Sequence, residues 1–396
     1  KMKFAHISDC HLGGWRQPEL QKLNMESFRV AIEISINEKV EFILFTGDLF
    51  DTAFPSVEIL KETFAEFRKL RDAGIKSYLI AGSHDYSVSG KTFLDVLEKA
   101  GLCDICKYDE KEEEVILNPI IHKTFHIYGY PGKKSGLEIP SLKKIKIKEP
   151  YESNFRILML HTTVSEAISL PEEVIDSISL SELPKADYYA LGHIHTEFEH
   201  QVNNKPVIYG GPTFPNNFKE LEELKFGRFY IIEVNGYTKI TKKEIKIKEV
   251  VLFEIELEDT LTGTNKIISE LEKGLLKDKI VLLKLYGNLK KGKSSDINYQ
   301  EIQDFLNKKQ VYSFLKNTSK LEQEKTELEI DFQSKEVGKV EEFIIDKYKK
   351  ENPSEFNNIL FQLIDSLNIE KQEDETNLAF EKRLLGEMNK VLGVEL

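Results

Sequence analysis

The chain has 396 residues, of which 40% are apolar and 31% are charged, and its formal net charge is −12. This composition is typical of a globular protein with two or three domains, and no apolar run approaches the ~20 residues that a membrane helix needs. Three cysteines are too few for a disulfide framework, and the first residues run straight into a strand-like pattern, so we expect a cytoplasmic protein without a membrane span.

The acidic excess is uneven along the chain. The residues from Thr318 onward carry 11 Lys and Arg against 19 Asp and Glu. Contacts with phosphate groups need a local basic surface rather than a basic chain. The net charge therefore does not exclude a nucleic-acid partner.

Short runs of β-branched and aromatic residues alternate with helical spacing in the first part of the chain. This alternation predicts a layered α/β domain. Two helices are predicted at residues 25–36 and 57–70. Buried strands are predicted at residues 3–8, 42–46, 77–81, 157–160, 188–191, 207–209 and 229–234.

Composition and pattern change twice after this domain. We predict a boundary near residue 236, where a Lys-rich alternating stretch begins, and a small α+β domain at residues 250–319. Residues 340–396 form a third region, with apolar residues at the spacing of one helical face in two stretches. These two amphipathic helices could pack on the body of the protein or on the helices of a partner. Their apolar positions include Phe356, Leu360, Leu363, Leu367, Leu384, Met388 and Leu392.

Five polar segments directly follow predicted strands. The carboxyl ends of strands in an open α/β sheet share one edge, where ligands bind, so we expect these segments to converge. The five segments are Asp9-Cys10-His11, Gly47-Asp48, Gly82-Ser83-His84-Asp85, His161 and Gly192-His193-Ile194-His195.

Cys103 and Cys106 form a CxxC pair without a second pair, and we interpret them as reduced thiols.

The converging side chains are two carboxylates and several imidazoles. A lone histidine beside a strand is more often a structural residue than a ligand, but five of the nine histidines lie in these segments. Mixed nitrogen and oxygen ligands suit Mn, Fe or Zn. There are more candidates than a single ion needs, which favours two metals that share a bridging carboxylate.

In this order, the segments resemble the motifs of the calcineurin-like metallophosphoesterase superfamily. The opening KFAHISDCHLG, the GDLFD motif and the added C-terminal parts resemble more closely the Mre-eleven/SbcD nucleases of DNA double-strand-break repair. The resemblance implies a layered metallophosphoesterase sandwich, a small α+β capping domain and a C-terminal helical segment that binds a partner. It also implies a cytoplasmic, nucleoid-associated nuclease.

The resemblance implies two Mn ions per subunit. Asp48 would bridge them, and His161 and His193 would hold the second. Ser83 stands where the family has Asn, and its shorter hydroxyl is expected to weaken the second site. His84 matches the histidine that approaches the scissile phosphate. The implied metal ligands are Asp9, His11, Asp48, Ser83, His161, His193 and His195.

The implied activity is Mn-dependent hydrolysis of DNA, as a double-strand exonuclease and a single-strand endonuclease. The resemblance also implies a homodimer that uses the helices at residues 25–36 and 57–70, with Phe54 and Leu60 as contacts. The terminal helices would dock on an SMC-like ATPase of the Rad-fifty/SbcC type. Basic loops that could contact the DNA backbone contain Arg16, Lys91, Lys133, Lys134, Lys290, Lys291 and Lys293.

Two other functions remain open from the sequence. One is a metallophosphoesterase that acts on a nucleotide or a phosphoprotein, although such an enzyme has no evident use for a capping domain and two exposed helices. The other is a DNA-bridging scaffold whose metal site is impaired by Ser83. Since the other ligands are intact, a single change is more typical of tuning or engineering than of decay.

Overall fold

The computed structural model describes residues 2–86, 92–149, 155–168, 176–290, 292–323, 349, 355–367, 369 and 377–392. Residues 1–324 form one compact unit and residues 325–396 form a second. The finer boundaries at 236, 250, 319 and 340 stay predictions. Within the described part of the chain, no helix combines the length and the apolar character that crossing a bilayer requires.

The first unit is built from short strands and seven described helices. The helices are α1 Pro18–Asn37, α2 Val57–Asp72, α3 Leu94–Lys99, α4 Ile139–Leu142, α5 Phe218–Leu224, α6 Gly263–Glu272 and α7 Tyr299–Lys308. The strands are β1 Met2–Ile7, β2 Phe42–Thr46, β3 Lys76–Ile80, β4 Asp104–Ile105, β5 Lys107–Glu110, β6 Val115–Asn118, β7 Ile120–His122, β8 Phe125–Tyr130, β9 Ile145–Ile147, β10 Phe155–His161, β11 Tyr188–Gly192, β12 Glu199–Val202, β13 Lys205–Tyr209, β14 Gly227–Val234, β15 Thr238–Ile245, β16 Val250–Glu256, β17 Ile280–Leu289 and β18 Ser313–Gln323.

Two six-stranded sheets form a sandwich. Their strand orders are β15-β14-β1-β2-β3-β4 and β12-β13-β11-β10-β8-β7. Strands β1, β2 and β3 are parallel, as are β8, β10, β11 and β13. Aromatic side chains fill the space between the sheets, and the rings of Phe4 and Phe42 stack at 4.9 Å. The predicted layered α/β sandwich is confirmed.

Helices α1 and α2 cover the outer face of the first sheet. Phe28 and Phe67 are fully buried there beside Phe45. α1 begins earlier than the periodicity predicts, because Pro18 suits the first helical position. The hydroxyl of Ser56 caps α2 by accepting a hydrogen bond from the amide of Ile59.

The first sheet continues past the predicted boundary at 236. β15, the Lys-rich stretch, pairs antiparallel with β14 as a hairpin. Its lysines extend to acidic partners on neighbouring elements, with Lys243 pairing with Glu38 and Lys242 with Glu197. The charged alternation thus belongs to an edge strand with an exposed face.

A third sheet, with strand order β16-β17-β18, lies after this hairpin. One face packs on α6 and α7 through Ile267 and Ile302. The other face contributes Ile280 and Leu282 to a cluster with Leu221 of α5. α5 therefore lies directly against the third sheet.

The second unit contains a 3-10 turn at Glu355–Asn358 and two helices, α8 Leu360–Leu367 and α9 Asn377–Leu392. These elements match the two predicted amphipathic helices. α8 and α9 contact each other. Leu367 and Leu385 keep 51% and 48% of their surface exposed.

Candidate metal centre

Loops at the carboxyl ends of β1, β2, β3, β10 and β11 meet at one edge of the sandwich. Asp9, His11, Asp48 and His193 all adopt positive φ angles, between 43° and 103°, which L-residues seldom do. The loops hold each other through backbone bonds, with Asp9 donating to the Gly47 carbonyl and His11 to the Asp48 carbonyl. Strain of this kind is concentrated at functional sites.

Glycine is required where two of these loops touch. Gly47 has φ +91°, and a Cβ added there would lie 2.3 Å from Nδ1 of His161. No other residue fits without moving that ring. The small residue therefore lets the Asp48 loop approach the end of β10.

The first group of candidate ligands is Asp9, His11 and His195, whose ligand atoms lie within 4.8 Å of one another. Nδ1 of His11 donates to Asp51 at 3.2 Å, and Nδ1 of His195 donates to Glu220 at 3.0 Å. The two Nε2 atoms then face each other at 3.2 Å. Two lone pairs at that distance repel each other unless a proton or a cation lies beside them.

The second group is Asp48, His161 and His193. Nδ1 of His161 donates to the Thr46 carbonyl at 2.9 Å, so Nε2 points to the Asp48 carboxylate, 3.1 Å away. That contact lacks hydrogen-bond geometry, and Nε2 of His161 is buried without a hydrogen-bond partner. A buried ring nitrogen without a partner beside a carboxylate is suited to a metal ion.

The third group, His11, Asp48 and His84, links the other two. Nε2 of His11 lies 3.7 Å from Oδ2 of Asp48. The amide of His84 donates to Oδ1 of the same carboxylate at 2.8 Å, and Nδ1 of His84 donates to the Asp51 carbonyl at 2.8 Å. Asp48 thus stands between both sets of imidazoles.

Buried carboxylates set the protonation of two histidines. Burial disfavours a charged His195, but the nearby Asp9 carboxylate and the hydrogen bond to Glu220 outweigh that effect and raise its pKa to about 10. Burial also opposes a charge on His161, and the Asp48 carboxylate raises the pKa of that ring to about 9. In metal-free protein both rings are therefore in the charged form, with a proton on each ring nitrogen, at neutral pH.

The same charges shift the pKa values of the other residues of the site. Burial, followed by the charge of His161, lowers the pKa of His193 to about 4. Burial opposes ionisation of Asp9 and Asp48, but the adjacent histidines hold both pKa values below the ordinary range, that of Asp9 at about 2. Both carboxylates are thus ionised and ready to ligate a cation.

Asp85, the last residue of the GSHD segment, binds the backbone of neighbouring loops and is not a candidate metal ligand. Its buried carboxylate accepts from the amides of Gly82, Leu49 and Phe50. Burial, with the charge of Asp48, raises the pKa of Asp85 to about 6. It therefore ties the third segment to the second.

A cleft of about 430 Å³ opens beside His84. The ring of His84 is 47% exposed at this cleft. Ser83 lies beside it, where the resemblance implies a ligand of the second metal. The cleft is lined by Asp51, Thr52, Ala53, Ser83, His84 and Lys134.

Of the predicted basic contacts, Lys134 lines the cleft. Arg16 and Lys293 are exposed and are not among the residues that line it. Lys133 pairs with Glu110, and Lys290 with Glu258. Lys91 and Lys291 lie outside the described residues.

The predicted partner-binding positions lie in the second unit. Leu363, Leu384, Met388 and Leu392 are half-buried there, and Leu367 is exposed. The side chains of Phe356 and Leu360 lie outside the described part. The three cysteines are free and buried.

Two contributors to the centre are not among the predicted site residues. Glu220 and Asp51 each accept the outward N–H of a candidate ligand, which fixes the ring that faces the centre. Asp51 could have been assigned from its position in GDLFD, but nothing in the local pattern around Glu220 relates it to His195. The donor set as a whole, imidazole nitrogens and carboxylate oxygens without thiolate, fits Mn, Fe or Zn.

Comparisons with known proteins show the family to which the sequence is related. A family model described as calcineurin-like phosphoesterase matches residues 2–197. "DNA double-strand break repair protein Mre11" of Methanocaldococcus jannaschii is 30% identical over 284 residues, which cover 69% of this chain and 74% of that protein. The protein of the same name from Sulfolobus acidocaldarius is 26% identical over 346 residues, 84% of this chain and 88% of the relative. An "uncharacterized metallophosphoesterase YhaO" of Bacillus subtilis is 29% identical over 59% of this chain and 58% of its own length.

Proposed function

The chain belongs to the Mre11 (Mre-eleven) family of DNA double-strand-break repair proteins, among the calcineurin-like phosphoesterases, and we propose that it is a Mn-dependent DNA nuclease with double-strand exonuclease and single-strand endonuclease activity. The observation that carries the proposal is the arrangement around Asp48. Two candidate ligand groups contain Asp48, and one of them includes His84, which lines the cleft. This arrangement suits phosphodiester hydrolysis.

Two Mn ions fit the ligand groups. Asp9, His11 and His195 would hold one ion and His161 and His193 the other, with Asp48 shared. When bound, the ions supply positive charge that polarises a phosphodiester and stabilises the negative charge that develops during hydrolysis. Ser83 would complete the second set with a hydroxyl in place of the amide carbonyl of the family.

His84 is placed to transfer a proton at the reacting phosphate. Its Nδ1 is engaged by the Asp51 carbonyl, which leaves Nε2 as the ring atom for an oxygen of the substrate. Because the ring is held by backbone, it keeps its orientation when a substrate enters. Lys134, on the cleft wall, would bind the DNA backbone.

The test compares His84→Ala with His200→Ala, because His200 is an exposed histidine on β12 that belongs to none of the three candidate ligand groups. Linear duplex and circular single-stranded DNA are incubated with Mn, and Mn binding is measured in parallel. We expect His84→Ala to lose at least ~10²-fold in rate while both chains bind Mn. Hydrolysis of nucleotides or phosphopeptides without DNA cleavage would favour the phosphatase alternative. Bound Mn without any hydrolysis would favour the scaffold.

The DNA path is tested with neighbouring lysines. Lys134 lines the cleft, whereas Lys133 is paired with Glu110. We expect Lys134→Ala to weaken DNA binding and to reduce its salt dependence by about one phosphate contact, with a smaller effect of Lys133→Ala. Equal effects would place the DNA elsewhere.

We also propose that α8 and α9 dock on an SMC-like ATPase of the Rad-fifty/SbcC type. The exposed surfaces of Leu367 and Leu385 support this, because apolar side chains on amphipathic helices favour contact with partner helices. A double substitution to Glu at these positions should abolish binding to the ATPase. Nuclease activity of the isolated chain should stay unchanged, and unchanged ATPase binding would contradict the docking proposal.

A further inference from the structure

A carboxylate outside the ligand groups determines how His195 faces the candidate metal centre. Oε1 of Glu220 accepts from Nδ1 of His195 at 3.0 Å. Nε2 is thereby left to face Oδ1 of Asp9, 3.7 Å away. Since a histidine ligates through the nitrogen that carries no proton, this hydrogen bond selects the ligating atom as well as the ring orientation.

Glu220 is itself held in place. Its Oε2 accepts from the amide of Asn216 at 2.8 Å, and its Oε1 accepts from Nδ2 of Asn217 at 2.7 Å. The backbone of His195 is fixed too, because Arg228 donates to its carbonyl at 2.8 Å. Both ends of the bond between Glu220 and His195 are thus restrained.

The next two residues of α5 face the third sheet. Leu221 is fully buried in a cluster with Ile280 and Leu282. Glu222 accepts from Nζ of Lys284, on β17, at 2.5 Å. Successive positions on one short helix therefore contact the metal centre and the third sheet.

We propose that Glu220 is a positioning residue for His195. We also propose that, through α5, this positioning depends on where the third sheet lies relative to the sandwich. The inference rests on the proposed role of His195 as a metal ligand. A shift of the sheet relative to the sandwich moves Leu221 and Glu222, and Glu220 moves with them. The affinity of the Asp9, His11 and His195 group for metal then changes, whereas the Asp48, His161 and His193 group has no contact with α5 among the described hydrogen bonds.

The first experiment titrates the full chain with Mn²⁺ and compares Glu220→Gln, Glu220→Asp and the control Glu223→Gln. Glu223 lies on the same helix and contacts only Lys219 among the described ion pairs. We expect Glu220→Gln to weaken one Mn²⁺ equivalent by ~10–100-fold and to leave the other unchanged. Glu220→Asp should restore part of the loss, and Glu223→Gln should match the original chain.

The second readout needs no metal. In metal-free protein with ¹⁵N-labelled histidine, the ring resonances of His195 report the hydrogen bond that Nδ1 makes with Glu220. Glu220→Gln should shift these resonances, and Glu223→Gln should not. Unchanged resonances together with two unchanged Mn²⁺ affinities would overturn the positioning role.

The dependence on the third sheet is tested with Lys284→Met and Leu221→Ala. Neither of the two replaced side chains contacts His195. Both should weaken the same Mn²⁺ equivalent several-fold and shift the same resonances. An effect of Glu220→Gln without any effect of these two variants would overturn the dependence on the third sheet. If the original chain binds no Mn²⁺, the proposed function fails, whereas the His195 resonances still test Glu220.

Discussion

Oδ2 of Asp48 lies 3.1 Å from Nε2 of His161, and both side chains are buried. The same oxygen lies 3.7 Å from Nε2 of His11. One carboxylate therefore lies close to two imidazoles that come from opposite sheets of the sandwich. A cation on either side of it would be held by elements from both sheets.

The first prediction concerns this shared carboxylate. Asp48→Asn removes one negative charge from both ligand groups, so we expect the affinities of both Mn²⁺ sites to fall, each by at least tenfold. Asp95→Asn, at an exposed carboxylate, is the control. Titration calorimetry measures the stoichiometry and affinities. The loss of a single site, with the other intact, would contradict a bridging position.

The second prediction concerns pH. His161 and His195 have folded pKa values of about 9 and 10 in metal-free protein, because neighbouring carboxylates favour their charged forms. A ligating imidazole is neutral, so Mn²⁺ must displace these protons. Affinity should therefore rise with pH between 6 and 9, by up to about tenfold per unit for each displaced proton.

Calorimetry at pH 7 in two buffers of different ionisation enthalpy checks this prediction. The apparent heats should differ by the ionisation of about one proton for each Mn²⁺ bound. His193 contributes no proton, since its pKa is lowered to about 4. Identical heats in both buffers would show that the two rings are already neutral.

The sequence predicts the candidate metal ligands better than it predicts the residues that hold those ligands in place. Each of the five segments follows a strand whose apolar run is readable, and they meet because the carboxyl ends of the parallel strands of both sheets lie at one edge of the sandwich. Glu220 contacts His195 across 25 positions of sequence that contain the hairpin of β12 and β13. Local periodicity carries no information about such a contact, because it depends on how α5 lies on the third sheet.

The predicted end of the first domain shows the same limit. The sequence predicts a boundary near Gly236, before the alternating lysines, and these lysines form β15 at the edge of the first sheet. An edge strand with an exposed face has too little apolar pattern to be distinguished from a charged linker. Pairing with β14 and ion pairs such as Lys243 with Glu38 stabilise it, and both are tertiary contacts.

The third prediction concerns Ser83, which lines the cleft beside His84. Ser83→Asn would restore the amide of the family motif, and an amide oxygen reaches further and is a better neutral ligand than a hydroxyl. We expect the second Mn²⁺ site to tighten about tenfold and cleavage of linear duplex DNA to rise. Ser83→Ala is the control and should not tighten it. Equal affinity of all three chains would show that position 83 does not ligate.

The fourth prediction concerns association between two copies of the chain. Phe54 and Val57 are each 74% exposed at the start of α2, and the ring of Phe54 meets that of Phe93 edge to face. Adjacent exposed apolar side chains of this size mark an interaction surface. Leu60, the other predicted contact, is half-buried on the same helix.

Phe54→Glu should therefore convert a dimer into a monomer, because it places a charge at the centre of that contact. Light scattering at micromolar concentrations measures the change in mass. Val96→Glu is the control, since Val96 is an exposed apolar residue on α3 outside the predicted contact. The metal centre is built from one chain, so Mn²⁺ binding should persist in the monomer. A chain that is monomeric before any substitution, or a dimer that withstands Phe54→Glu, would exclude this surface as the dimer contact.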